Sequence, residues 1–121
     1  MKRDFELIRK ILAEVSDAPA GCPAYTLRFP GEYDDKVVFE HVALLIDAGL
    51  IEGNIHRAMS GIHDVRITRL TWDGQEFLDA AAEDTRWRKA IDTVKEKGGA
   101  MTFEVLKELL KRLSAAAVGL S

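Results

Sequence analysis

Three histidines, one cysteine and twenty carboxylates are the groups in this 121-residue chain that could take part in nucleophilic, metal or acid–base chemistry. Their spacing argues against all three. Cys22 stands alone beside Pro23, so no intrachain disulfide forms and the thiol reads as a loop bystander. His41 has no second His or Cys at ligand spacing on its own helix. It reads as a histidine packed at the helix edge against a backbone or carboxylate partner, rather than as a metal ligand or base reader. His56 and His63 fall in a polar loop without cysteine, which is a poor metal cage. Glu40 and Asp47 lie two turns apart on one helix and form no paired carboxylate site. Phosphate-binding loops, dinucleotide fingerprints and nucleophile elbows are missing from the sequence. The expectation is a protein that is not an enzyme, with no metal, cofactor or small-molecule substrate.

What remains is surface chemistry, and it centres on residues 35–70. Val38, Val42 and Leu45 recur at i, i+4 and i+7, which puts them on one face of a helix over about Asp35 to Ala48. Asp34 or Asp35 caps it, and Gly49 ends it, since glycine enters the left-handed cap without steric penalty. Leu50–Ile55 and Val65–Leu70 read as antiparallel strands, joined by a loop from about His56 to Asp64. Thr71 caps the next helix, and Gly74 in its first turn implies close packing against a neighbour. Trp72 reads as a core anchor in preference to a stacking platform. Helix, strand, loop, strand, helix is the core of a winged helix. On that reading Lys36, Phe39, Glu40, Ala43 and Asp47 form the exposed face of the central helix. Arg57 on the wing, with Arg66 and Arg69 on the return strand, would hold phosphate.

Flanking elements complete the expected fold. A first helix over about Asp4 to Ser16 is capped by Asp4 and carries an apolar stripe of Phe5, Ile8, Leu12 and Val15. Lys2, Arg3, Arg9 and Lys10 lie off that stripe. Tyr25 to Phe29 alternates as a short third strand beside the wing. Between Gly31 and Val37 at most one helical turn fits, so the helix-turn-helix has a reduced second helix. A helix over about Asp84 to Lys97 presents Trp87, Ile91 and Val94, and Gly98-Gly99 stops it. After a Thr102 cap, Phe103, Leu106, Leu110, Leu113, Ala117 and Leu120 follow a/d spacing over about two and a half heptads. That seam either packs on its own chain or joins two copies as a homodimer. The expected class is α+β, mainly helical: a winged-helix domain over residues 1–83 and a C-terminal helical extension over 84–121.

Charge separates these parts. Residues 1–83 hold 9 Lys/Arg against 15 Asp/Glu, and residues 84–121 hold 8 against 5, within a net charge of −3. An acidic winged helix weakens the inference from fold to DNA, because phosphate contact favours clustered cations. No apolar run approaches the roughly 18 residues of a membrane span, and the N-terminus lacks a signal-peptide stretch, so a cytoplasmic setting without a membrane partner is expected.

Two resemblances add to this. Leu45-Ile46-Asp47-Ala48-Gly49-Leu50-Ile51-Glu52, followed by Leu70-Thr71-Trp72-Asp73-Gly74-Gln75-Glu76-Phe77-Leu78, resembles winged-helix regulators of the MarR and PadR kind. With Lys2-Arg3-Asp4, Leu7 to Leu12, His41 to Ile51, Asp84-Thr85-Arg86-Trp87 and Gly98-Gly99, nearly the whole chain resembles a family of uncharacterised bacterial and prophage proteins, a domain of unknown function. That resemblance implies a phage or mobile-element setting and assigns no activity. Two roles follow as expectations, the first favoured by the fold and the second its alternative. One is a DNA-binding regulator using Lys36, Phe39, Glu40 and Ala43 in a groove, with Arg57, Arg66 and Arg69 on phosphate. The other is a phage-encoded protein-binding module that antagonises a host repressor or defence protein, in the manner of an anti-CRISPR.

Overall fold

The structure is a computed structural model and describes residues 3–96 and 103–117. Five helices and one two-stranded antiparallel sheet make an α+β, mainly helical chain. The elements are α1 (Phe5–Asp17), α2 (Asp35–Asp47), β1 (Ile51–Ala58), β2 (Gly61–Leu70), α3 (Trp72–Ala81), α4 (Asp84–Glu96) and α5 (Phe103–Ala117). They fall into two compact units, Met1–Gln75 and Glu76–Ser121. This boundary lies inside α3. No helix among the described residues is long and apolar enough to cross a membrane.

In the first unit α1 starts at Asp4, whose carboxylate accepts from the Leu7 amide at 3.1 Å. Leu7, Ile8, Ile11, Leu12 and Val15 are buried, whereas Phe5 is only half-buried. The segment after α1 holds two turns, one closed by the Cys22 amide donating to the Pro19 carbonyl at 3.2 Å and a second in which the amides of Glu32 and Tyr33 both donate to the Phe29 carbonyl at 3.1 Å. No helix intervenes between α1 and α2. The expected third strand shrinks to one bridging pair, Tyr25 with Ile67, whose main-chain bonds are 3.1 and 2.7 Å. The next residue stays tied to β2 through its side chain, the Thr26 hydroxyl being bonded to Asp64 and to the Val65 carbonyl.

The α2 end shows why the hairpin begins where it does. Ala48 caps the helix and Gly49 adopts φ +80°. The amides of Gly49 and Leu50 then reach back to the carbonyls of Ile46 and Leu45, both at 3.0 Å, which closes a Schellman motif. Thr71 ties the next corner. Its hydroxyl donates to the Gly49 carbonyl at 2.6 Å and accepts from the Gly74 amide at 3.0 Å, and its own amide donates to Leu50. One residue therefore satisfies the end of α2, the base of the hairpin and the start of α3. Gly74 is required there, because a Cβ would fall 2.1 Å from the Leu50 carbonyl oxygen.

In the second unit α4 and α5 pack on each other, burying Trp87, Ala90 and Val94 with Leu106 and Leu110. Ile91 and Leu113 are half-buried. Glu83, not a later residue, caps α4: its carboxylate accepts from the amides of Thr85 and Arg86 at 2.9 and 2.8 Å. These two bonds hold its carboxyl below the usual range. Arg86 closes α3 by donating to the carbonyls of Ala80 and Asp79. The expected Gly98-Gly99 stop, the Thr102 cap and Leu120 lie outside the described residues, as do the side chains of Phe103 and Ala117.

Candidate functional site

The surface proposed from sequence for partner contact is the front of α2 together with the β1–β2 hairpin. Its framework is better ordered than the sequence implies. The strands run out to Ala58 and Gly61, leaving only Met59 and Ser60 as the turn, so the expected loop over 56–64 is strand. His56, Arg57 and His63 consequently sit on a ladder. The register slips twice, between Glu52 and Gly53 and between His56 and Arg57, and each slip leaves an extra residue on β2, Thr68 and His63. The inner face buries Ile51, Val65 and Ile67. Met59 at the tip is fully exposed.

The helix side departs from expectation. Phe39 and Ala43, both expected on the exposed face, are buried. Phe39 is covered by the chain segment before α2: the Arg28 guanidinium stands 5.5 Å from the Phe39 ring centre and its Nε pairs with Asp35 at 3.3 Å. The apolar stripe of α2 is therefore wider than Val38, Val42 and Leu45, and it takes in Phe39, His41 and Ala43. Lys36 and Asp47 are exposed, and Glu40 is half-buried. A cavity of about 270 Å³ separates Lys36, Phe39 and Glu40 from Ser60, Gly61, Ile62 and His63.

Of the three arginines, two are already engaged. Arg66 pairs with Asp64 at 3.4 Å, and Arg69 pairs with Glu52 at 2.9 Å while also donating to the Leu70 carbonyl. Asp64 is drawn below the usual carboxylate range: partial desolvation works against this, and bonds from Thr26, the Val65 amide and Arg66 outweigh it. Arg57 carries no ion pair among the described residues.

His41 lies at the centre of the unit rather than at a helix edge, with no exposed surface. Its Nε2 accepts from the Asp4 amide at 2.9 Å, so Nδ1 must hold the proton, which it donates to the Val37 carbonyl at 2.8 Å. Both ring nitrogens are thus used in joining the start of α1 to α2. Among the described residues no group of three or more His, Cys, Asp or Glu is arranged to hold a metal. Trp72 is the residue that sequence reasoning misplaced most: it is 78 % exposed, in the first turn of α3.

In the C-terminal seam, Leu106 and Leu110 are wholly buried within the single chain. Among the described side chains of α5, the half-buried Leu109 and Leu113 and the exposed Val105 are the apolar groups not fully covered.

Comparison with known proteins bears on the chain as a whole. It is 32 % identical over 114 residues to a Haemophilus influenzae protein described as an uncharacterized protein, covering 93 % of this chain and 95 % of that one. No solved structure matches it. A family model described as hypothetical protein (DUF2513) matches residues 2–100, and the chain belongs to that family.

Proposed function

We propose that this chain is a winged-helix protein that binds another protein through an acidic surface, and that it is not a catalyst. The winged-helix reading rests on the order α2, β1, β2, α3 with its Gly49 and Thr71 corners. The observation that carries the choice of partner is the state of α2. A helix that reads a major groove presents Arg, Lys, Asn or Gln to base edges. Here Phe39 and Ala43 are buried, and Asp34, Asp35, Glu40 and Asp47 outnumber Lys36 on what remains. Carboxylates at those positions would face phosphate with like charge, whereas a basic protein surface complements them. The phage setting implied by the family resemblance suits an antagonist of a host protein.

A photoreactive residue placed at Ser60, with one at Glu14 as control, tests the reading. Irradiation in a host extract should give a discrete protein adduct from the Ser60 position alone. Tight, salt-sensitive binding of duplex DNA by the pure protein would overturn it. One observation favours the DNA reading instead: Arg57 and Lys36 are exposed cations flanking the hairpin and α2, and Arg57 has no ion pair among the described residues. If that reading holds, replacing Arg57 and Lys36 with alanine lowers the salt slope of DNA binding by about one unit per lost phosphate contact.

A further inference from the structure

We propose that the outer edge of β1 takes up an extended segment of the protein partner as an added strand. This deepens the protein-binding reading and rests on it. In an antiparallel pair, alternate residues of each strand turn their N–H and C=O groups away from the other strand. On β2 those outward groups are used: Ile67 bonds Tyr25 in both directions, and the Val65 carbonyl accepts from the Thr26 hydroxyl. On β1 they are open. Among the described residues, no main-chain group of Ile51–Ala58 bonds to anything outside the hairpin. Edge strands are ordinarily blocked by proline, lysine, a bulge or short length. β1 is eight residues long, holds neither proline nor lysine, and leaves the extra residue of both register slips on β2. A row of N–H and C=O groups at strand spacing is complemented by another extended main chain, whereas a helix has its own groups bonded internally. Main-chain chemistry thus names the occupant, and two side chains refine it. Ile55 is half-buried, and Arg57, two positions on and so on the same face, is exposed without an ion pair among the described residues. An apolar residue and a carboxylate two positions apart on the added strand would cover the first and pair with the second. A second copy of β1 does not supply that carboxylate, because residues paired across strands share a face and Glu52 lies on the other one, already held by Arg69 at 2.9 Å.

The test uses the full chain and short peptides selected on it from a random displayed library. Selected peptides should share an apolar residue and a carboxylate two positions apart. In nuclear magnetic resonance, binding should protect alternate β1 amides that exchange freely in the free chain, and should give cross-strand contacts to β1. N-Methylation of alternate peptide residues should weaken binding about tenfold or more in one phase and hardly at all in the other, because one set of peptide amides faces β1. Arg57→Glu, with an unchanged thermal midpoint, should weaken binding about twofold to fivefold, and lysine in place of the peptide carboxylate should restore it. Failure to enrich any peptide, equal effects of the two methylation patterns, or protection elsewhere than on β1 overturns the proposal. So does concentration-dependent protection of β1 amides in the free chain, which marks a second copy on that edge. If β1 fails these tests while the Ser60 adduct still forms, the strand site falls and the protein-binding reading stands.

Discussion

His41 shows how much one residue decides. Its ring accepts the Asp4 amide and donates to Val37, in a position without solvent. His41→Leu keeps much of the volume and strands the Asp4 amide. It should cost about 1–3 kcal/mol in urea unfolding, the usual penalty for leaving a part-buried donor unpaired. A loss under about 0.5 kcal/mol would show that this bond does not anchor α1. Trp72→Leu should instead leave stability within about 0.5 kcal/mol of the parent, as expected for an exposed side chain. The two residues also mark what sequence can convey. The lack of a second His or Cys at ligand spacing on its helix favours a packed histidine at position 41, and backbone groups are the partners its ring has. Its depth, and the exposure of Trp72, depend on what other segments cover, and neither spacing nor residue type reports that. Phe39 is the same case: Arg28, eleven positions earlier in the chain, supplies the cover.

At the scale of elements, local rules carried further. Asp4, Gly49, Thr71 and Gly74 each occupy the position that cap geometry or close packing requires, and the structure uses all four. Gly74 gives a prediction whose sign is informative. Glycine to alanine inside a helix ordinarily stabilises by about 0.5–1 kcal/mol. Gly74→Ala should do the reverse, by more than about 1 kcal/mol in urea unfolding, because the new Cβ meets the Leu50 carbonyl. A stabilised variant would show that the α3–hairpin corner is looser than described. The α4 cap was not legible, since glutamate is an uncommon N-cap and Asp84 is the more obvious candidate. Glu83 has a lowered pKa when folded, so its contribution is present above the unfolded carboxylate range and is lost as pH falls through the folded value. The protection factors of the Thr85 and Arg86 amides, taken relative to the intrinsic exchange rate at each pH, should therefore fall on acidification in the parent, and Glu83→Gln should flatten that response. Hairpin length was missed for a different reason. His56, Arg57, Ala58 and Met59 are exposed in succession, so no alternation marks them as strand.

For the whole molecule, two features set the expected behaviour in solution. Leu106 and Leu110 are buried against α4 within one chain, which leaves Val105, Leu109 and Leu113 as the outward apolar positions of α5 among the described side chains. Such a small patch favours a single chain, and light scattering after size exclusion should report one chain at micromolar concentration. A stable dimer mass would place a second interface outside this seam. The other feature is the acidic first part of the chain, which with the closed front of α2 is the basis for a protein partner in preference to DNA. Anisotropy of labelled duplex DNA titrated with the pure protein at about 50 mM salt, where phosphate contacts are strongest, tests that claim most directly. The account predicts no saturable binding at micromolar protein. Saturable binding that weakens steeply as salt is raised would contradict it.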